Sequence, residues 1–337
     1  MPNTIIKSRA PFRISLAGGG TDVPPFCDLY GGAVLNIAIS KYAYVALEKI
    51  EKGVKIQTLE NIGGIYYKNK KDFLNNYQKD ILSSVIKKYL PAEGGYKISF
   101  FLDGQPRSGI GSSAAAFVAL IKALSYIKSL NLDRNLIAEE AWRLERYELK
   151  NVGGKQDQYA SSYGGVNYLE FKENGKVEIN PLRLDQKITL ELESRILIFY
   201  YAPRTSSSGK IIEEQIKNIE NKKKETIDAL LRNKQIAQEI KRELLKNNID
   251  EVGYLLDESW NQKKNYSSSI SNSSLDKFYS NLKKIGVLGG KISGAGGGGY
   301  MFVLCNEKKT LDIYNYLKTA GFSPMFLKID WEGAVQW

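Results

Sequence analysis

The stretch 112-SSAAAFVALIKALSYI-127 sets the first constraint on the fold. Alanine and leucine favour a helix there, and the run is apolar on every face until Lys122. Such a helix has no side to turn toward water. Its predicted span, Ser112 to Ser129, must therefore lie at the centre of the molecule, covered all round.

The flanking chain can supply that cover. Strand-like runs fall at Ile5–Ser8, Phe12–Ala17, Ala33–Ile39, Tyr42–Lys49, Val54–Thr58 and Tyr96–Leu102, with a helix over Lys79–Tyr89. Asp133 predicts a helix N-cap. Val166–Phe171 and Arg195–Tyr200 return to strand, and Gly209 to Asn265 is charged and helical. A polar loop, SSSISNSS, covers 267–274. The tail predicts strands at Lys291–Ser293, Tyr300–Cys305 and Met325–Ile329, with a helix over Thr310–Thr319. At 337 residues the chain exceeds a typical single domain. The mixture predicts an α+β protein of two lobes, residues 1–188 and 189–337.

Composition removes several chemistries. There is no histidine, which excludes a Ser-His-Asp or Cys-His hydrolase and histidine-ligated zinc. Proton transfer falls to a carboxylate, Lys, Tyr, Cys or water. Two cysteines, Cys27 and Cys305, cannot make a disulfide framework and read as buried reduced thiols. The opening residues lack a secretory apolar region, and no uncharged apolar run reaches the roughly 18 residues that span a bilayer. The expectation is a cytoplasmic protein without a membrane partner. The net charge of +11 suits an anionic partner, or a lysine-rich solvated surface.

The loop before the central helix, 105-QPRSGIGSS-113, is nearly bare of side chains. Glycines let a backbone approach a ligand, and a helix N-terminus offers unpaired N–H groups to phosphate. A serine N-cap would account for Ser112 and Ser113 equally well. GIGSSA fits a dinucleotide fingerprint, but Asp103–Ser108 separates the strand from the glycines and no acidic residue follows at the required distance. The P-loop pattern is absent. A second loop, 291-KISGAGGGGYMFVLC-305, puts five glycines into six residues. It implies close approach to a ligand or to the first loop, beyond what a tight turn requires. A third stretch, 9-RAPFRISLAGGGTDVPPF-26, carries Arg13 into Gly18–Gly20 and Thr21-Asp22.

Together the three stretches resemble the three motifs of the GHMP kinases, in family order and spacing, so that the resemblance covers almost the whole chain. It implies a two-lobed GHMP kinase fold: an N-terminal lobe like the second domain of ribosomal protein S5, and a ferredoxin-like C-terminal lobe. It implies ATP and magnesium, with the phosphates held by Pro106, Arg107, Ser108, Gly109, Ile110, Gly111, Ser112, Ser113 and Ala114. In 143-RLERYELKNVGGKQDQYASSYGGVNY-168, Glu145 matches the glutamate that holds magnesium with Ser113. Asp157 matches the aspartate that orients or deprotonates the attacking hydroxyl, and Arg13 an arginine that stabilises the transferred phosphate. Asp22 matches a sugar-hydroxyl aspartate, with Gly19, Gly20 and Thr21 beside it and Gly294, Gly296 and Gly297 across the cleft. Galactokinase has Glu-His where this chain has Gly19-Gly20, so its sugar contacts do not carry over.

LAGGGTDVPPFCDLYGG and GGKQDQYASSYGGVNY resemble one branch, the D-glycero-D-manno-heptose 7-phosphate 1-kinases. That likeness implies phosphorylation of an anomeric hydroxyl on the route to GDP-heptose for surface polysaccharide. Lys155, Arg204 and Arg107 are candidates for the 7-phosphate. A fucokinase-like enzyme acting on a free sugar is the nearest alternative. A basic RNA-binding protein with an S5-like lobe is the alternative of another class, although the clustered aromatic and basic residues of a single-strand binder are missing. The expected partners are ATP and a small sugar phosphate, with no nucleic acid, for a monomer or homodimer.

Overall fold

The computed structural model describes residues 5–105, 108–204 and 206–337. Strand β1 (Ile6–Ala17) pairs antiparallel with the 19-residue β2 (Gly32–Ile50), across the short helix α1 (Phe26–Tyr30). There follow β3 (Val54–Gln57), β4 (Ile65–Tyr67), α2 (Lys70–Asn76), α3 (Ile81–Tyr89) and β5 (Gly95–Leu102). The sequence divides β1 and β2 into two runs each, whereas both strands are continuous. A bulge at Pro11/Phe12 absorbs the break in β1, where proline has no N–H to give a ladder.

The central helix α4 (Ser112–Ile127) is the buried element its composition demands. It packs on β1 and β2, and Ser8 Oγ donates to its Ala119 carbonyl at 2.7 Å. Helix α5 (Arg134–Arg143) begins as predicted at Asp133, whose side chain accepts from Leu136 N at 2.8 Å. It runs directly into a π-helical turn, Leu144–Glu148. Helix α6 (Gln156–Tyr163) and the hairpin of β6 (Val166–Phe171) and β7 (Val177–Leu182) complete the chain around α4. Along one edge of β2, residues 43–50 pair with β5 and residues 32–37 with β6. This change of partner is what made one strand look like two.

The second lobe comprises α7 (Gln186–Arg195), β8 (Ile196–Ala202), α8 (Ser208–Glu220), α9 (Lys224–Leu245), α10 (Ile249–Lys263), α11 (Ser273–Lys284), β9 (Val287–Ile292), β10 (Gly299–Cys305), α12 (Thr310–Thr319) and β11 (Met325–Phe326). Its antiparallel sheet has the order β11-β8-β10-β9, the arrangement of a ferredoxin-like sheet. The chain then returns to the first sheet, where β12 (Val335–Gln336) pairs with β1. Helix α11 starts inside the predicted polar loop, capped by Asn272. Both cysteines are free and buried, as expected.

Alternation along β8 joins the lobes. Ile196 and Ile198 enter the core that contains α4, while Leu197 and Phe199 enter a second core beneath α8, α10 and α11. Helix α10 lies tight against β9. A Cβ on Gly289 would stand 1.9 Å from the Gly253 carbonyl oxygen. That contact sets the height of α10 over β9, and so the placement of Ser259 and Lys263 above Lys291. Gly289→Ala is expected to lower stability by about 3 kcal/mol through overpacking. Urea unfolding would show this as a lower midpoint with an unchanged slope.

Candidate active site

Both lobes line a cleft of about 210 Å³. Its floor begins at the first glycine loop. The N-cap of α4 is Gly111 at φ +75°, and no side chain caps the helix. Glycine suits this left-handed position. The serine-cap alternative is therefore not realised. The Ser113 hydroxyl instead donates to Glu145 Oε1 at 2.6 Å, so the N–H groups of a 16-residue helix remain available to an anion.

The two glycine loops touch. A Cβ on Gly109 would meet the Ser293 carbonyl oxygen at 2.4 Å, and one on Gly299 would meet the Ser108 carbonyl oxygen at 2.2 Å. Tyr300 N donates to that Ser108 oxygen at 2.9 Å. Glycine in the third motif thus serves loop-to-loop approach. Gly294 and Ala295 face the cleft. Gly296 packs against Ile270, and Gly297 N donates to the Ile270 carbonyl at 2.9 Å, so these two support the loop from outside the cleft wall.

Arg13 is 3% exposed, although a strand arginine is ordinarily a surface charge. Its Nε and Nη2 donate to Asp157 Oδ1 and Oδ2 at 2.8 and 2.6 Å. Its Nη1 reaches the Gly109 carbonyl at 2.6 Å and Ser293 Oγ at 3.3 Å. One side chain therefore joins the three predicted motifs and the α6 aspartate.

Glu145 does not form a helix-surface ion pair with a neighbouring lysine. It accepts from Ser113 and, at 2.7 Å, from Gln158 Nε2. Burial raises its pKa, against the lowering effect of the Ser113 hydrogen bond, and the Asp157 charge adds to the rise. A half-buried carboxylate beside a hydroxyl is a hard oxygen donor set that fits magnesium. Among the described residues no three acidic or thiol ligands cluster. The remaining ligands would come from nucleotide phosphates and water.

Asp22 is buried and accepts from Gly20 N, Gln156 N and Gln156 Nε2 at 3.1 to 3.2 Å. Burial raises its pKa. Gly19 and Gly20 line the cleft beside it. Thr21 is fully buried and tied to the backbone of Gly18 and Ala33, so it shapes the loop from behind. Ser112 lines the cleft; Ile110 and Ala114 are buried beneath it, with the Ile110 carbonyl accepting from Arg13 N. Lys155 lies in a neighbouring cavity, paired with Glu139 at 3.0 Å. Pro106 and Arg107 lie outside the described residues.

Arg204 occupies the space left by two glycines; a Cβ on Gly109 or Gly294 would stand 2.5 or 2.8 Å from its Nη2. Its Nη1 donates to Ser208 Oγ, while Nε and Nη2 are buried without a partner. Sequence reasoning assigned no role to Lys263 or Lys291. Lys263 Nζ donates to the Gly294 carbonyl, and Lys291 Nζ donates to the Leu16 carbonyl and Ser259 Oγ at 3.2 and 3.1 Å. Burial, then Lys291, Arg204 and Arg13, pushes the Lys263 pKa well down. Burial and Arg13 push Lys291 down to about 7. Among the described residues, Arg204, Lys263 and Lys291 have no ion-pair partner.

The chain matches the family model for the GHMP kinases N terminal domain over residues 76–165 and the GHMP kinases C terminal model over 240–322. It is 34% identical to a D-glycero-alpha-D-manno-heptose 7-phosphate kinase of Campylobacter jejuni, over 98% of both chains. It is 24% identical to an L-fucokinase/L-fucose-1-P guanylyltransferase of Bacteroides fragilis, over 90% of this chain and 35% of that protein. Its fold resembles the crystal structure of a D-glycero-D-manno-heptose 1-phosphate kinase from Bacteroides thetaiotaomicron, with a TM-score of 0.81, 29% identity and 98% coverage of both chains.

A polyphosphate beside Lys263 and Lys291 favours their charged forms. Nucleotide binding at pH 7.5 is therefore expected to take up protons, and affinity to weaken as pH rises from 7 to 9. Calorimetry in buffers of different ionisation enthalpy measures the uptake, which Lys291→Met should reduce. Proton release on binding would remove these lysines from the anion site.

Proposed function

The chain belongs to the GHMP kinases, and from that membership we propose that it transfers the γ-phosphoryl group of ATP to the anomeric hydroxyl of D-glycero-D-manno-heptose 7-phosphate, giving the 1,7-bisphosphate. The observation that carries this reading is the convergence of unmatched cations on an uncapped helix N-terminus, with one carboxylate held among them. Phosphoryl transfer asks for that arrangement: positioning, charge neutralisation and a group that orients the nucleophile.

The roles follow from geometry. The N-terminus of α4 and the Gly109–Ser113 backbone cradle the phosphates. Arg204, Lys263 and Lys291 meet their charge from the opposite lobe. Ser113 and Glu145 would hold magnesium, which neutralises charge on the β- and γ-phosphates when bound. Arg13 occupies both oxygens of Asp157, which fixes the direction of the carboxylate. Asp157 then suits orienting the sugar hydroxyl and receiving its proton as the new O–P bond forms and the bridging oxygen leaves with ADP. Asp22 holds the Gln156 end of α6 in place, which positions Asp157 one residue on.

Two likenesses favour a heptose phosphate over a free sugar. The Campylobacter relative is matched end to end at 34% identity, the fucokinase at 24% over part of its length. The Campylobacter protein is a heptose 7-phosphate kinase and the Bacteroides protein a heptose 1-phosphate kinase, so both sugar phosphates belong in the assay. With Mg-ATP and each of heptose 7-phosphate, heptose 1-phosphate, fucose, galactose and mannose, phosphorus NMR should show a new anomeric phosphate from the 7-phosphate alone. Transfer to a free sugar instead would overturn the acceptor and retain the kinase.

Asp157→Asn is expected to lower kcat by about 10² or more with folding intact. Turnover near that of the unaltered protein would remove Asp157 from the reaction. Ser113→Ala should raise the magnesium concentration for half-maximal rate by about tenfold, the effect of losing about 1.4 kcal/mol. An unchanged magnesium dependence would exclude Ser113 as a ligand.

A further inference from the structure

A second cavity, of about 420 Å³, adjoins the cleft, and Asp22, Trp142 and Arg146 line both. It has room for far more than a water molecule's share of roughly 30 Å³. Its position is informative. The reacting end of the cleft is set by Ser113, Arg13 and Asp157. The second cavity meets the cleft at Asp22, away from Ser113, Arg13 and Asp157, none of which line it.

The shared wall is polar and underused. Trp142 and Arg146 are four residues apart and straddle the junction of α5 with the π-helical turn. Trp142 Nε1 is buried without a hydrogen-bond partner. That atom is closed to solvent, so other atoms of Trp142, not its N–H, line the cavity. Arg146 donates to the Asn151 carbonyl at 3.4 Å and, among the described residues, meets no carboxylate.

The other charges facing the cavity are accounted for. Lys155 pairs with Glu139 and stands 4.4 Å from the Trp142 ring centroid. Lys172 pairs with Glu178 at 3.1 Å and Glu170 at 3.7 Å. Asp22 already accepts from three internal donors, and Asp28 accepts from Cys27 Sγ. Arg146 is thus the cation left for a ligand, with Lys155 as supporting charge. Arg204 is committed elsewhere, between the two glycine loops at the transferring end.

We propose that this cavity is the subsite for the terminal phosphate of the sugar, with Arg146 as its donor and the Trp142 ring as part of its wall. This rests on the reading of the acceptor as a heptose phosphate. With O1 at Asp157, the carbon arm beyond the ring carries its phosphate past Asp22 and toward the shared wall. The geometry also supplies selectivity. A free six-carbon sugar would leave the Arg146 charge without a partner.

The test is a split between KM and kcat. Arg146→Met is expected to raise KM for heptose 7-phosphate by about tenfold or more, with a much smaller effect on kcat at saturation. Trp142→Ala removes the aromatic wall and should raise the same KM by about threefold. If Arg146→Met fails to fold, the Trp142 variant carries the test alone. An unchanged KM in a folded variant, or equal loss in kcat and in KM for ATP, overturns the subsite and leaves the kinase reading intact. If the unaltered protein transfers no phosphate to heptose 7-phosphate, the acceptor reading falls first and the subsite with it.

Discussion

Arg13 donates through all three guanidinium nitrogens to groups from three distant parts of the chain. A guanidinium buried to this degree carries a large desolvation cost, and removing a partner from such a pair typically costs about 3–5 kcal/mol. Its partners are therefore a condition of burying β1, not an ornament on it. The first glycine loop must come close enough for Gly109 to accept, and the second close enough for Ser293. That closeness is what excludes a Cβ at Gly109, Gly294 and Gly299. The spacing of the motifs in sequence and their contact in space thus have one cause.

The same cause explains where the surplus charge sits. With Asp157 bound to Arg13, the cations Arg204, Lys263 and Lys291 form no ion pair among the described residues, and only the Asp22 and Asp157 charges act on Lys263 and Arg204 from a distance. Like charges in a buried cleft repel, and the lowered pKa values of all three express that repulsion together with burial. The protein holds them because packing elsewhere leaves no alternative: Gly253 against Gly289 fixes α10 over β9, and two glycines enclose Arg204. An anion in this cleft gains from every one of these charges at once. Binding there is coupled to stability, since the folded state alone assembles the site.

Legibility in the sequence followed the range of the interaction. Glycine loops announce themselves because a backbone requirement is local, and Ser113 stood within one, whereas Asp157 and Arg13 were legible only through the likeness to the kinase motifs. The all-round apolar α4 was equally plain. Lys263 was not, because its surroundings in the chain look like any charged helix and its burial comes from α10 lying on β9. The Gly296 and Gly297 requirement was visible, but its reason, the approach of Ile270, arises across the fold. Strand β2 was read as two because its change of partner interrupts the pattern without interrupting the strand. The return of β12 to β1 involves two residues, too few for any periodicity to mark.

The π-helical turn after α5 connects the two ends of the proposed substrate. Leu149 N closes on the Leu144 carbonyl, five residues back, and Asn151 N on Glu145, so the helix widens before it ends at Lys150 in a left-handed conformation. Widening brings consecutive residues of opposite charge to the cleft. Glu145 turns toward Ser113, and Arg146 lines both the cleft and the second cavity. Had these two paired with each other, neither would serve a ligand. Glu145 is satisfied by a hydroxyl and an amide instead, which leaves the arginine charge uncompensated. On the proposed reading, one turn of helix therefore sets both the metal at the reacting phosphate and the recognition of the distant one. A change in its register would be felt in acceptor choice and in turnover together.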